Sequence, residues 1–412
     1  MKKIIILYLL FSFFSLPVFA AEQKKLLQFI TLADIHFDPF IVCYQKRRPC
    51  QTLQLLRQAP VSEWPSVLAK FDHAKPIYRS NTNYPLLISA LNSAKQVTEK
   101  NSVQFVLVLG DFLAHDFRSY YQRYARDNSN IGYQEFVKKT MQFITNELNK
   151  TFTRINVFPI IGNNDSYHGD YVTVPNGLFF RDLQQTWSSL IKNPQDRAAM
   201  QASFARGGYY GLDIPNYPNL RLIVLNSVLF SAKSQGPGVE QAALQELTWL
   251  HEQLSLAKTK KQNVLIATHI PPGIDIYASL QYRLLRLLEL WKIDYIKRFE
   301  KELHEFAPEI LGIFAGHLHT DWFQIMTLDD IYRIPVTGTP SISPIYGNNP
   351  GFKLYSYSIQ SQRFVNFETY YYSIERTHRW SKESYLNRFF VRDDHKLASE
   401  ISCLEKPAGS IF

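Results

Sequence analysis

Short apolar, β-branched runs recur along the chain between longer segments with helical periodicity, which is the pattern of an α/β protein. The runs Leu26–Leu32, Phe105–Leu109, Ile155–Ile161, Leu220–Leu225, Val264–Thr268 and Ile310–Ala315 each predict a strand. Amphipathic spacing predicts helices over Leu86–Glu99, Gln134–Asn149, Val239–Lys258 and Leu280–Phe306, the last broken near its middle. After residue 330 alternation takes over in Phe352–Ile359 and Phe364–Tyr371, predicting antiparallel strands. From about Ile374 a charged, aromatic tail predicts a small helical addition. No repeat of fixed period and no Gly/Ser-rich or Pro-rich linker divides the chain, so the expected organisation is one main domain over 21–373 and a C-terminal helical subdomain over 374–412.

The first residues follow a different rule. Lys2 and Lys3 precede an apolar run from Ile4 to Val18, and Val18-Phe19-Ala20 has the small-x-small form of a signal-peptidase site. Residues 1–20 therefore read as a signal peptide and Ala21 as the mature start; an uncleaved anchor is the alternative, for which the run is short. No later stretch approaches the roughly 18 apolar residues of a membrane span. The expected location is secreted or periplasmic. With 46% hydrophobic and 20% charged residues the composition excludes a disordered chain, and a net charge of +9 by itself names no partner. The 29 Phe, 24 Tyr and 6 Trp exceed what core packing needs, so some of them are expected to line a cleft or coat an interface. In an exported chain Cys43 and Cys50 could bridge across the loop-like stretch IVCYQKRRPC, leaving Cys403 as an odd thiol.

Candidate chemistry gathers where the strands end. Leu26–Leu32 runs into Asp34 and His36, Phe105–Leu109 into Gly110-Asp111, Ile155–Ile161 into Gly162-Asn163-Asn164-Asp165, Val264–Thr268 into His269, and Ile310–Ala315 into Gly316-His317-Leu318-His319. Ligands collect at the C-terminal edge of open α/β sheets, so residues scattered over most of the chain can converge there. Asp34, His36, Asp111, Asn163, His269, His317 and His319 make a mixed imidazole and oxygen set without thiolate, suited to Zn, Mn or Fe rather than Ca. They are too many for one tetrahedral ion and enough for two ions sharing a carboxylate, the arrangement that clamps the entering and leaving oxygens of a phosphoryl displacement. An isolated DxH or HxH pair is more often structural; five such segments together are not.

In this order, D-x-H, G-D, G-N-x-D, H and G-H-x-H resemble the calcineurin-like metallophosphoesterase superfamily over roughly Phe29 to Tyr355. The local strings Asp34-Ile35-His36-Phe37-Asp38, Gly110-Asp111-Phe112-Leu113-Ala114-His115-Asp116, Thr268-His269-Ile270-Pro271-Pro272-Gly273, Gly316-His317-Leu318-His319-Thr320-Asp321 and Asn348-Asn349-Pro350-Gly351-Phe352 resemble the acid-sphingomyelinase-like phosphodiesterases within it. The resemblance implies a four-layer sandwich of two mixed β-sheets flanked by helices. It also implies two divalent ions, Zn2+ first with Mn2+ or Fe as alternatives. Asp34, His36 and His319 would hold one ion, Asn163, His269 and His317 the other, and Asp111 both, with a metal-bridging hydroxide as nucleophile. His115 matches a histidine beside the leaving group. Where the family usually has G-N-H-D or G-N-H-E, this chain has Asn164, which can hydrogen-bond a phosphoryl oxygen but cannot shuttle a proton near neutral pH.

The expected function is an exported dinuclear-metal phosphodiesterase acting on soluble phosphodiesters or pyrophosphates, nucleotide-like ones favoured, with no nucleic-acid duplex and no stable membrane span among its partners. The alternatives are an endopolyphosphatase, suggested by G-N-N-D, a sphingomyelin-cleaving enzyme, and a non-catalytic scaffold on the same fold. Neither G-x-x-x-x-G-K-[ST] nor G-x-S-x-G occurs, and His251-Glu252 and His304-Glu305 lack the second histidine of HExxH. His73, His168, His251, His304, His378 and His395 read as surface or packing residues, with His168 the nearest to the G-N-N-D segment. The aromatic and basic stretch Phe117–Tyr124 reads as either a helix face or a cleft wall.

Overall fold

The computed structural model describes residues 26–44, 50–275, 279 and 287–386; the expected signal peptide, His395 and Cys403 lie outside the described residues. The strands, numbered in chain order, are β1 (Leu26–Leu32), β2 (Val103–Val108), β3 (Asn156–Pro159), β4 (Tyr210–Ile214), β5 (Tyr217–Val224), β6 (Asn263–Ala267), β7 (Ile310–Ala315), β8 (Trp322–Leu328), β9 (Tyr332–Gly338), β10 (Gly351–Ser358), β11 (Arg363–Tyr372) and β12 (Trp380–Leu386). They form two six-stranded sheets, ordered β12-β11-β10-β1-β2-β3 and β4-β5-β6-β7-β9-β8. In the first, β1, β2 and β3 are parallel while β10, β11 and β12 run antiparallel to their neighbours. In the second, β5, β6, β7 and β9 are parallel, with β4 and β8 antiparallel at the two edges.

Apolar side chains drive the sheets together, because the central strands are apolar on both faces and must bury both. Phe29 on β1 stacks on Phe105 of β2 at 4.8 Å and on Tyr355 of β10 at 5.1 Å, and meets Phe314 of β7 edge-on at 5.3 Å. All four are essentially fully buried, so this aromatic cluster is the seam between the sheets. Helices cover the outer faces. One, Tyr84–Lys100, starts where Asn83 accepts a hydrogen bond from the Leu86 amide, with Pro85 in its first turn, and another, Asn130–Thr151, starts where Ser129 accepts from Gly132. Cys43 and Cys50 are joined as a disulfide.

Two predicted helices differ. The segment expected over Leu280–Phe306 is helical only from Ile293 to Glu305; residues 280–286 lie outside the described residues, and 287–292 are extended. There Glu289 bridges Ile274 and Trp291 bridges Ser231, and the buried Trp291 donates its indole N–H to the Ile270 carbonyl at 2.9 Å, so ladder pairing and indole burial override the helical spacing. The described part of the expected C-terminal helical addition is a turn followed by β12, paired antiparallel to β11 from Trp380↔Tyr372 to Leu386↔Asn366. The open edge of β11 offers backbone partners that an isolated short helix lacks. The remainder, 387–412, lies outside the described residues.

Because β1, β2 and β3 of one sheet and β5, β6 and β7 of the other are each parallel, their C-terminal ends open on one rim. Backbone bonds join neighbouring strand ends there: the Asp34 amide donates to the Gly110 carbonyl at 3.0 Å, His36 to Asp111 at 2.9 Å, and Gly316 to His269 at 3.0 Å.

Candidate metal centre

At this rim the backbone leaves ordinary geometry. Asp34 (φ 50°), His36 (φ 43°), Asp111 (φ 55°), His317 (φ 70°) and His319 (φ 59°) all adopt left-handed conformations, which are costly for side chains other than glycine. Their concentration at one point directs five titratable side chains inward. The glycines beside them are required by space: a Cβ on Gly162 would collide with the backbone nitrogen and Oδ1 of Asp111, and one on Gly110 with the His269 ring.

The side chains meet around Asp111. Its Oδ2 lies 3.4 Å from His36 Nε2 and 3.3 Å from His269 Nε2, imidazoles carried by different sheets. Asp34 Oδ1 lies 3.5 Å from His319 Nε2 and 3.9 Å from His36 Nε2, and the Asp34 carboxylate accepts the His317 backbone N–H at 3.0 Å. Asn163 Oδ1 is 3.0 Å from His269 Nε2. All seven predicted ligand positions thus converge: Asp34, His36 and Asp111 group on one side and Asp111, His269 and His317 on the other, while His319 groups with His36 and His115, and Asn163 meets His269.

Backbone acceptors orient two of the imidazoles. His36 Nδ1 donates to the Leu113 carbonyl at 2.9 Å and His269 Nδ1 to the Leu109 carbonyl at 2.7 Å, which turns each Nε2 toward the carboxylates. Burial pushes the His36, His317 and His319 imidazoles down, helped at His317 by the charge of His269, which leaves that ring at about 3, whereas Asp111 and Asp34 overcome burial at His269 and raise it to about 9. Burial raises the Asp34 carboxyl. At Asp111 burial acts upward too, but His269 and His36 more than reverse it and hold the carboxyl well below the usual range. Two buried carboxyl groups facing four imidazoles form an oxygen- and nitrogen-rich donor set that fits divalent cations. The family resemblance implies two of them, and these groups could hold both.

His115 stacks on His36 at 3.9 Å between ring centres, its Nδ1 3.1 Å from Asn81 Oδ1 and its Nε2 3.4 Å from the Tyr346 hydroxyl. Asn164 donates its backbone N–H to Asp111 Oδ1 at 2.8 Å and its side-chain amide to Oδ2 at 2.9 Å, so it orients that carboxylate. The helix Phe117–Ala125 buries Phe117, Tyr121 and Tyr124, which makes the aromatic stretch largely packing. His251 pairs with Glu302 and His304 with Asp329 at the surface, away from the cluster.

Asn81, Tyr346, Tyr171 and Lys353 do not stand out in the sequence. Tyr171 points its hydroxyl toward His317 Nε2 at 3.5 Å. Lys353, fully buried on β10, holds Asp321 at 2.6 Å and thereby ties the turn after His319 to the first sheet. None carries a motif; each reaches the site across the fold, although Tyr346 and Lys353 flank the Asn348–Phe352 string. Asp165 is visible in G-N-N-D but its role is not: it accepts the Phe112 amide at 2.8 Å and Leu113 at 3.2 Å through Oδ1, and Gly162 at 2.9 Å through Oδ2. Asp165→Ala leaves three buried N–H groups unpaired at about 1–3 kcal/mol each, so a loss of at least about 3 kcal/mol is expected in urea unfolding. A loss under about 1 kcal/mol would mean that other acceptors replace the clamp.

Comparison with known proteins places this geometry in a family. The family model for calcineurin-like phosphoesterase matches residues 27–321. A cyclic GMP-AMP phosphodiesterase SMPDL3A from Bos taurus is 24% identical over 305 residues, covering 71% of this chain and 61% of that protein. A sphingomyelinase phosphodiesterase C from Dictyostelium discoideum is 27% identical over 304 residues, covering 70% and 62%. The chain thus spans about three-fifths of the length of these relatives. A solved dimetal phosphatase from Danio rerio superposes with a TM-score of 0.46 at 14% identity, covering 87% of this chain and 99% of that one. Since the family match runs from β1 through the turn that carries His317 and His319, the chain belongs to the calcineurin-like phosphoesterase family.

Proposed function

We infer that this protein is an exported, dinuclear-metal phosphodiesterase of the acid-sphingomyelinase-like group, hydrolysing soluble phosphodiesters or pyrophosphates with nucleotide-like ones favoured. The observation that carries the reading is the single oxygen, Asp111 Oδ2, lying 3.4 and 3.3 Å from imidazoles of the two sheets, because one carboxylate placed between two donor sets is what a pair of ions requires. Asp34, His36 and His319 would hold one ion, Asn163, His269 and His317 the other, and Asp111 both. Such a pair, with Zn2+ the expected metal, supplies charge neutralisation on phosphoryl oxygens and activation of water for attack on phosphorus.

The chain's own residues do the rest. Asn164 holds the Asp111 carboxylate by both oxygens, and Asp165 locks the loops that bear them. His115, fixed through Asn81 and lowered by burial, would in its protonated form deliver a proton from Nε2 to the departing oxygen. Export is supported by the Lys2-Lys3, apolar-run and Val18-Phe19-Ala20 pattern, and by the Cys43–Cys50 disulfide, which persists in oxidising compartments. Among the described residues no helix is long and apolar enough to cross a membrane.

A substrate panel tests the reading. Nucleotide-like or nitrophenyl phosphodiesters are expected to be hydrolysed faster than dispersed sphingomyelin, with activity lost on strong chelation and regained with Zn, Mn or Co. Faster release of phosphocholine from liposomes would assign the sphingomyelin-cleaving alternative. Polyphosphate shortening faster than any organic phosphodiester would assign the polyphosphatase, and activity that survives prolonged chelation would remove the metal mechanism.

A further inference from the structure

Among the predicted ligands Asn163 alone is an amide, and an amide has two ends of nearly the same shape. Only the carbonyl oxygen can hold a cation; the other end presents two N–H hydrogens and repels one. Its neighbours in the G-N-N-D motif serve other groups. Asn164 is committed to Asp111, and Asp165 to the Gly162, Phe112 and Leu113 amides. The end that faces the metal centre is therefore chosen from outside the motif.

Asp170 makes that choice. The buried Asn163 donates its side-chain N–H to Asp170 Oδ1 at 2.6 Å, which turns Asn163 Oδ1 toward His269 Nε2 at 3.0 Å. An ionised carboxylate only accepts, so the reversed amide would set oxygen against oxygen on one side and N–H against the ion on the other. A self-bonded loop brings Asp170 back over Asn163. Ser166 Oγ donates to the Val172 carbonyl and accepts the His168 amide at 3.0 Å, while the Val172 amide donates to the Gly169 carbonyl at 3.2 Å and the Tyr171 amide to the Asn163 carbonyl at 2.9 Å. Gly169 makes the turn at φ 109° with open space where a Cβ would stand, so it serves backbone conformation and not packing. Lys233, whose ammonium lies 5.3 Å above the Tyr171 ring, supplies the positive charge that faces Asp170.

We propose that Asp170 is a positioning residue of the metal centre: by holding the Asn163 N–H it selects the orientation in which Oδ1 ligates, and so sets the affinity of the ion held with His269 and His317. The proposal rests on the paired-ion reading above and deepens it. Loss of an outer partner of a metal ligand costs about 10–100-fold in affinity. Asp170 stands at the exposed edge of the rim, where water competes for the N–H, so the low end, about tenfold, is expected.

The test is a double-variant cycle on the full chain, stripped of metal and titrated with Co2+, whose visible absorption reports coordination. Wild type is expected to take up two ions and Asp170→Ala to bind one of them about tenfold more weakly, with the other unchanged. Asp170→Asn, whose side-chain oxygen can still accept the N–H, is expected to keep most of the affinity. Asn163→Ala removes the ligand itself, so adding Asp170→Ala to it is expected to cost nothing more. A wild-type affinity in Asp170→Ala overturns the proposal. So does an added loss in the double variant, which would make Asp170 a support of the loop in general, and so does an Asp170→Asn loss as large as that of Asp170→Ala, which would make it a charge acting at a distance. Thermal unfolding of the metal-free chains is expected to be alike in wild type and Asp170→Ala; a weaker ion accompanied by a destabilised metal-free fold overturns the positioning role. Hydrolysis of bis-nitrophenyl phosphate by the Co2+-loaded wild type is measured alongside. Its absence would reject the phosphodiesterase reading, while the cycle still decides the role of Asp170.

Discussion

Asp111→Ala is expected to cut phosphodiester turnover by at least about 10³-fold and to lower bound metal further than removal of any other single ligand. Loss of an outer partner of a metal ligand already costs about 10–100-fold in affinity or activity, and Asp111 is the carboxylate within reach of both imidazole sets. The reason is electrostatic. Asp111 is the charge toward which His36 and His269 turn their Nε2 atoms, and without it two buried imidazole groups face each other with no anion between them. Asp34→Ala removes a carboxylate from one side only, so it is expected to leave the His269 and His317 side able to bind. Metal content by mass spectrometry and turnover of bis-nitrophenyl phosphate provide the check. A variant that kept two ions and near-normal turnover would refute the shared position of Asp111.

His115→Ala is expected to slow an alkyl phosphodiester by about 10²–10⁴-fold while slowing bis-nitrophenyl phosphate far less. An alkoxide leaves poorly unless it is protonated, whereas nitrophenolate is a good leaving group unaided. Asn164 cannot substitute, because an amide is no acid near neutral pH, and its backbone N–H and one side-chain N–H are already committed to Asp111. Ring stacking on His36 and the bond to Asn81 hold His115 at the edge of the cluster, so metal content is expected to stay normal. Equal losses on both substrates, with the ions still bound, would instead make His115 a group that positions or stabilises the phosphoryl oxygens.

The strand runs and the residues that follow them are written locally in the chain, because burial on two sheet faces demands unbroken β-branched and aromatic segments and a sharp turn at their ends demands glycine. That is why β1 and β7 match their apolar runs residue for residue, and why Asp34, His36, Asp111, Asn163, His269, His317 and His319 stand out from motif spacing alone. The edges of the sheets are not written this way. β4 is only five residues long and β8 and β12 are partly exposed, and their conformation depends on a neighbour that offers unpaired backbone groups, which local pattern does not encode. The same holds for 287–292, where a helical spacing yields to ladder pairing around Trp291. At the site, only tertiary packing selects the groups that support the ligands. Asp165 clamps two loops, Lys353 on β10 anchors Asp321, Asn81 and Tyr346 flank His115, and Lys233 lies over Tyr171. Each of these is a long-range contact whose partner is set by how the two sheets pack, so neither residue of the pair carries the signal alone.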